Sequence, residues 1–79
     1  MKNEKEEITK KEYWEMMEIL PPKIMTNKGF LIGEPTTHTK KGALYNHYYK
    51  EDGKYYCDGL KTVEEFKDIH SEEKVLMGC

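Results

Sequence analysis

Apolar and polar positions alternate most clearly in residues 44–59, where two short tyrosine-rich segments flank Asp52 and Gly53. An Asp-Gly pair between alternating segments is the strongest short-range signal for a β-hairpin, because a type I′ turn needs positive φ at both central residues. We therefore predict two antiparallel strands around this turn. The residues expected to oppose each other are Glu51 and Lys54, Tyr49 and Tyr56, and His47 and Asp58.

Side chains of a strand alternate between the two faces of its sheet. One face of the hairpin would carry Tyr45, His47, Tyr49, Tyr56 and Asp58. The opposite face would carry Leu44, Asn46, Tyr48, Tyr55 and Cys57, and we expect it to be the buried face because it has fewer ionisable groups. A slip of one residue in register would exchange the two faces.

Two segments show the helical period instead. The spacing of Thr9 and Glu12 is that of a capping box, and the apolar positions that follow predict a helix near residues 10–20, ended by the prolines at 21–22. Thr62 and Glu65 repeat the capping-box spacing and predict a second helix at about 62–70. The apolar positions of the two helices are Tyr13, Met16, Met17 and Leu20, and Val63, Phe66 and Ile69.

A further strand is expected at residues 30–32, where three consecutive apolar residues indicate cover on both faces or a dimer contact. Pro35 should end this strand, and residues 35–43 read as a polar surface loop. The order is then helix, three strands, helix (αβββα). We predict an α+β fold, a three-stranded antiparallel sheet with the helices packed on one face. It would span residues 9–70, between a charged leader (1–8) and a tail (71–79).

Composition allows one small domain: the chain has 79 residues, 37% of them hydrophobic and 11% aromatic. No apolar run has the length of a membrane span or a signal peptide, so we expect a cytoplasmic protein without a membrane partner. The net charge is −2, and all 13 basic residues are lysines. Because arginine supplies the bidentate fork used for guanine edges and many phosphates, this composition disfavours direct nucleic-acid binding.

Candidate chemistry is sparse. His47 and Asp58 could form the orienting half of an acid–base site, but no serine or cysteine is expected on their face, and a stabilising cross-strand pair is the preferred explanation. We therefore predict a protein that is not an enzyme. A zinc ion would need three or four converging ligands, and the available residues are dispersed, so we expect no cofactor and keep zinc as the alternative. Those residues are His38, His47, Cys57, His70 and Cys79.

The tyrosine-rich hairpin face is the candidate surface for a partner, since tyrosine provides a large contact area at a small cost in entropy. The tentative partner-binding residues are Tyr45, His47, Tyr49, Tyr56 and Asp58. Packing against a helix is the structural alternative for the same tyrosines. The oligomeric state stays open, and a homodimer is compatible with the pattern.

The chain also resembles a group of small bacterial proteins in the segments LPP, GFLIGEP, DGKYY and TVEEF, and the stretch from Tyr13 to Phe66 carries the resemblance. Members of that group are carried on phages, plasmids and other mobile elements, and anti-defence inhibitors such as anti-CRISPR proteins are of this class. The resemblance implies a non-catalytic inhibitor or accessory factor that binds a host protein, for example a nuclease or another nucleic-acid-binding effector. The alternative is a small nucleic-acid-binding or regulatory module, with or without a zinc ion.

Overall fold

A computed structural model describes residues 5–33 and 37–78, and it contains a six-stranded antiparallel sheet, a separate two-stranded sheet and two helices. The helices are α1 (Lys10–Ile19) and α2 (Val63–Ile69). The strands are β1 (Glu6–Ile8), β2 (Ile24–Thr26), β3 (Gly29–Ile32), β4 (His38–Thr39), β5 (Gly42–Ala43), β6 (Tyr45–Glu51), β7 (Lys54–Lys61) and β8 (Val75–Gly78).

The α+β class is confirmed, but the three-stranded sheet and the αβββα order are wrong. The large sheet has the order β1-β7-β6-β3-β2-β8, and β4 and β5 pair within the segment predicted as a loop. The added strands β1, β2 and β8 have only three or four residues each. Such strands are too short to show a period, and hydrogen bonds to neighbouring strands of the sheet stabilise them. Because β1 and β8 belong to the sheet, it extends beyond the predicted domain limits of 9 and 70 at both ends.

The hairpin of β6 and β7 forms at the predicted turn, with Asp52 at φ 54° and Gly53 at φ 78°. Tyr49 opposes Tyr56 as predicted. Further from the turn, Tyr48 pairs with Cys57 but Asn46 pairs with Leu60, so β7 contains one extra residue there. This β-bulge, at which Gly59 has a φ of 97°, changes the expected strict pairing of His47 with Asp58.

Helix α1 covers one face of the large sheet. Both hydrogen bonds of the predicted capping box form between Thr9 and Glu12. Tyr13 packs there against Phe30 and Ile32, and all three side chains are buried. The residues around them are mostly apolar: Ile8, Met16, Met17, Leu20, Met25, Tyr48 and Tyr55.

Helix α2 covers the opposite face, so the prediction that both helices pack on one face is wrong. Its capping box at Thr62 and Glu65 also forms, and its Phe66 packs on Ile24 and Leu31. Adjacent residues of β3 therefore reach two different cores, which confirms the expected cover on both faces of residues 30–32. It also corrects the expectation that only one hairpin face is buried. No helix within the described residues has the length and apolar character needed to cross a bilayer.

Candidate functional site

Two histidines meet beneath α2. His47 comes from β6, and His70 is the C-terminal cap of α2. Their relative exposures are 1% and 5%, and their Nε2 atoms lie 2.9 Å apart, which is a hydrogen-bond distance. Both rings are therefore buried, whereas the third histidine, His38, is exposed.

The other nitrogen of each ring contacts a carboxylate. His47 Nδ1 lies 2.5 Å from Asp58 Oδ1, and His70 Nδ1 lies 2.7 Å from Glu73 Oε1. The Thr26 hydroxyl donates to the same Glu73 oxygen at 2.5 Å. Asp58, His47, His70 and Glu73 thus form one continuous chain of contacts, the histidine network.

The backbone and the surrounding rings hold the network in place. Gly29 leaves the room that His70 occupies: a Cβ there would lie 2.8 Å from His70 Cε1 and 2.8 Å from the Tyr48 carbonyl oxygen. Phe66 lies 4.3 Å from the His70 ring between centroids, and Tyr49 stacks on His47 at 5.2 Å. The network is therefore enclosed by packed side chains.

The number of protons in the network follows from its geometry. Its three contacts, Asp58 to His47, His47 to His70 and His70 to Glu73, need one proton each. Three protons on the four ring nitrogens make one imidazolium and one neutral imidazole between two carboxylates. With a fourth proton two N–H groups would face each other, and with only two protons one contact would bring two lone pairs together.

The surroundings of His47 disfavour a second proton on its ring. Burial lowers the pKa of His47; the hydrogen bond and the charge of Asp58 oppose this shift, while the charges of His70 and Lys61 add to it. His47 is then the neutral ring: it donates from Nδ1 to Asp58 and accepts at Nε2 from His70. Lys61 Nζ lies 3.9 Å from Asp58 Oδ2, within ion-pair distance.

The network has part of the architecture of a metal site. A metal-bound histidine commonly donates its second N–H to a carboxylate, as both rings do here. However, the Nε2 atoms are 2.9 Å apart, whereas two ligands on a tetrahedral zinc ion would be separated by about 3.3 Å. Within the described residues, no group of three or more histidine, cysteine or acidic side chains could hold a metal ion.

The other metal-ligand candidates do not join this pair. Cys57 lies beside Tyr48, whose ring packs in the α1 core, so it is on the other side of the sheet. His38 belongs to the separate two-stranded sheet, and Cys79 lies outside the described residues.

The tentative partner-binding residues are divided between the core and the rim of the sheet. His47 is buried and Asp58 binds it, so neither presents its polar atoms to a partner, and Tyr45 packs on the α2 core. Tyr49 and Tyr56 remain half-buried at the rim, with ring centroids 5.4 Å apart. The predicted tyrosine surface is thus reduced to one pair of rings in tilted contact.

Sequence reasoning missed two members of the site. Glu73 lies three residues after His70, within the segment predicted as a tail, and Thr26 lies between the first predicted helix and the predicted strand at 30–32. The spacing of His70 and Glu73 is the only local signal that could have indicated their contact.

The two outer edges of the large sheet differ in character. β1 consists of Glu6, Glu7 and Ile8, with Lys5 before it. β8, by contrast, has no charged residue, and its Val75 and Leu76 are 49% and 56% exposed. Within residues 5–33 and 37–78, no strand pairs with the outer side of β8.

Comparison with known proteins finds no matching family, no similar curated protein and no similar solved structure.

Proposed function

We propose that this chain is a non-catalytic protein-binding domain that pairs the free edge of β8 with an extended segment of its partner. A single observation carries the proposal: among the described residues the sheet ends at β8, a strand without charge whose Val75 and Leu76 are half exposed. An open edge offers unpaired N–H and C=O groups, and β-strand addition uses those groups for affinity and the side chains for specificity.

The contrast with β1 supports the choice of edge. Natural sheets protect exposed edges with short strands and charged residues, and β1 has both features. β8 is also short and Lys74 precedes it, but the strand itself has no charged residue. Val75 and Leu76 therefore leave its edge without the protection that charge gives to β1. Because Val75 and Leu76 point to opposite faces of the sheet, the partner segment would be extended and would carry an apolar residue on each of its faces.

The resemblance to proteins of mobile elements suggests the biological setting. We propose that the partner is a host protein, such as a nuclease or another effector of defence, and that binding inhibits it. Recognition through β8 differs from mimicry of nucleic acid by an acidic surface, because main-chain hydrogen bonds and apolar contacts respond weakly to salt.

The test compares two variants that carry the same chemical change at exposed apolar positions. Leu76→Lys places a charge on the β8 edge, and Ile19→Lys places one on α1, where Ile19 is 67% exposed. The wild type and both variants would be immobilised and exposed to nuclease-treated bacterial lysate at low and high salt. Bound proteins would be quantified by mass spectrometry, and the amide exchange of β8 would be measured with the captured protein added.

The expected result is a protein that binds the wild type and Ile19→Lys, is lost with Leu76→Lys, survives high salt and protects the β8 amides. Binding that Leu76→Lys leaves intact would refute the role of the edge. Binding that disappears at high salt would favour the acidic surface, and recovery of nucleic acid alone would favour the nucleic-acid module. Capture of a second copy of this chain would identify the edge as a homodimer contact.

A further inference from the structure

The histidine network is connected to the start of β8 through Glu73. This residue lies two positions before Val75, the first residue of the strand. Its carboxylate accepts from His70 and from the Thr26 hydroxyl, and its backbone N–H donates to the His70 carbonyl oxygen at 3.1 Å. Glu73 therefore joins the end of α2, the neighbouring strand β2 and the turn that leads into β8.

The register places the same residues side by side. Thr26, which holds Glu73, is also the partner of Val75 across β2 and β8. The pairing is irregular at this point, because the register shifts between Met25 and Thr26. The first pair of β8 thus combines an interrupted ladder with a side-chain anchor, and loss of the anchor should affect β8 before any other strand.

The charged and titratable groups around the rings come from four elements. Tyr49 from β6 stacks on His47, Asp58 and Lys61 come from β7, His70 ends α2, and Glu73 comes from the turn. β2 adds no charged group to these surroundings; it provides the neutral Thr26 hydroxyl, which donates to Glu73. A fourth proton would therefore enter a buried pair of rings, and the contact that it disrupts is the one between the two Nε2 atoms.

We infer that protonation of the His47–His70 pair regulates the docking strand β8, so that acidification releases the strand and weakens partner binding. With both rings doubly protonated, two N–H groups would face each other at 2.9 Å, and His70 would have to move away. Its movement would displace Glu73 and the turn before β8. The effect on partner binding rests on the proposed function of β8, whereas the effect on the strand itself does not.

The experiment measures backbone amide exchange of the isolated full chain at pH 7 and pH 5, with each rate corrected for its intrinsic pH dependence. We expect protection of the Val75–Gly78 amides to fall about tenfold at pH 5, as for the loss of one charge-assisted hydrogen bond. The amides of Tyr45–Glu51 should keep their protection. Nitrogen-15 NMR of the rings at pH 7 should show three protonated ring nitrogens on His47 and His70 together.

Three variants separate the network from general acid effects. In His70→Gln the side-chain amide can reach His47 without taking up a proton, so the pH dependence of β8 should disappear. His38→Gln removes an exposed histidine and should behave as the wild type. Gly29→Ala pushes His70 from its place and should lower β8 protection already at pH 7.

The inference is overturned if β8 protection in the wild type is equal at the two pH values, or if His70→Gln keeps the full tenfold fall. Two neutral rings at pH 7 would refute the shared proton. Because the isolated chain is measured, failure of β8 to bind any partner would refute the proposed function and leave these outcomes unchanged. Partner binding through β8 that is insensitive to pH would refute the regulation alone.

Discussion

The two faces of the large sheet are formed by the same strands, but one is packed with apolar side chains and the other also contains a polar network. Under α1, Tyr13, Phe30 and Ile32 form an apolar core. Burial raises the pKa of Tyr13, so its hydroxyl stays neutral in any ordinary buffer. Under α2, the apolar residues share the interior with two buried histidines and two carboxylates.

The difference shows what each kind of core requires of its neighbours. Apolar packing depends on volume and shape, and it tolerates substitutions that preserve both. A buried polar network is stable only when every member has its partner, because an unpaired buried group loses water without compensation. The stability of the α2 face should therefore depend on pH and on single-atom changes that leave the stability of the α1 face unaltered.

The largest effects are expected from a matched pair of phenylalanines, Phe30 under α1 and Phe66 under α2, both fully buried. Replacement of either by alanine should lower the free energy of unfolding by about 3–5 kcal/mol. Such a loss approaches the whole stability of a small domain, so Phe30→Leu and Phe66→Leu provide milder versions. Urea unfolding at pH 7 and pH 5 would measure all four variants.

The pair differs in its expected dependence on pH. Phe66 packs against both histidine rings, and its loss would admit water and bring the pKa of His47 back toward its ordinary value. The difference in stability between pH 7 and pH 5 should therefore shrink in Phe66→Leu and persist in Phe30→Leu. An equal change in both variants would mean that the faces are not electrostatically distinct.

The regular elements could be predicted because each has a local signal. Capping boxes at Thr9 and Thr62 located both helices, and Asp52-Gly53 located the hairpin turn. The strands β1, β2 and β8 have no such signal. β1 and β8 pair with strands far along the chain, and β2 is too short to show a period although it pairs with β3, which follows it directly. The placement of the helices on opposite faces also depends on the full width of the sheet, which those short strands supply.

Only half of the histidine network could be predicted from the sequence. His47 and Asp58 lie in one hairpin, so the turn was enough to bring them together. His70 and Glu73 approach His47 only after α2 has packed on the sheet, and no pattern in the sequence encodes that contact. The small space at Gly29 that admits His70 is likewise a property of the assembled fold.

A smaller effect is expected from Asp58→Asn, which keeps the shape of the side chain but removes its charge. Asp58 acts to raise the pKa of His47 against the larger effect of burial, so the variant should lower this pKa further. Weakening of a hydrogen bond to a charged group should cost about 1.5–3 kcal/mol at pH 7. NMR titration of the His47 ring and urea unfolding measure the two effects.

The sign of the pH dependence follows from the lowered pKa of His47. Its contribution to stability is fully present above the unfolded value, about 6.5, and is lost as the pH falls through the lower folded pKa. In Asp58→Asn the pKa of His47 should be lower still, so the loss of its contribution to stability should continue to lower pH. Asp68→Asn changes an exposed carboxylate on α2 and serves as the control. A rise of the His47 pKa in Asp58→Asn would contradict the assignment.

The smallest effects are expected from the two N-cap threonines, which occupy the same position in the capping boxes of α1 and α2. Thr9 begins α1 and is exposed, whereas Thr62 begins α2 and is 2% exposed. Replacement of an N-cap threonine by alanine costs about 0.5–2 kcal/mol, and water can replace the lost oxygen only where the helix end is exposed. We expect about 0.5–1 kcal/mol for Thr9→Ala and about 1–2 kcal/mol for Thr62→Ala.

Thermal unfolding of both alanine variants, with Thr9→Ser and Thr62→Ser as controls, would test this ranking. Serine keeps the hydroxyl that accepts from the backbone N–H of Glu12 or Glu65, so both serine variants should lie closer to the wild type. Thr62→Ala should also weaken the hold of α2 on His70, because a helix of seven residues depends on its cap and its packing. If the two alanine variants were equally stable, the enclosed α2 face would tolerate an unpaired amide as well as the exposed end of α1 does.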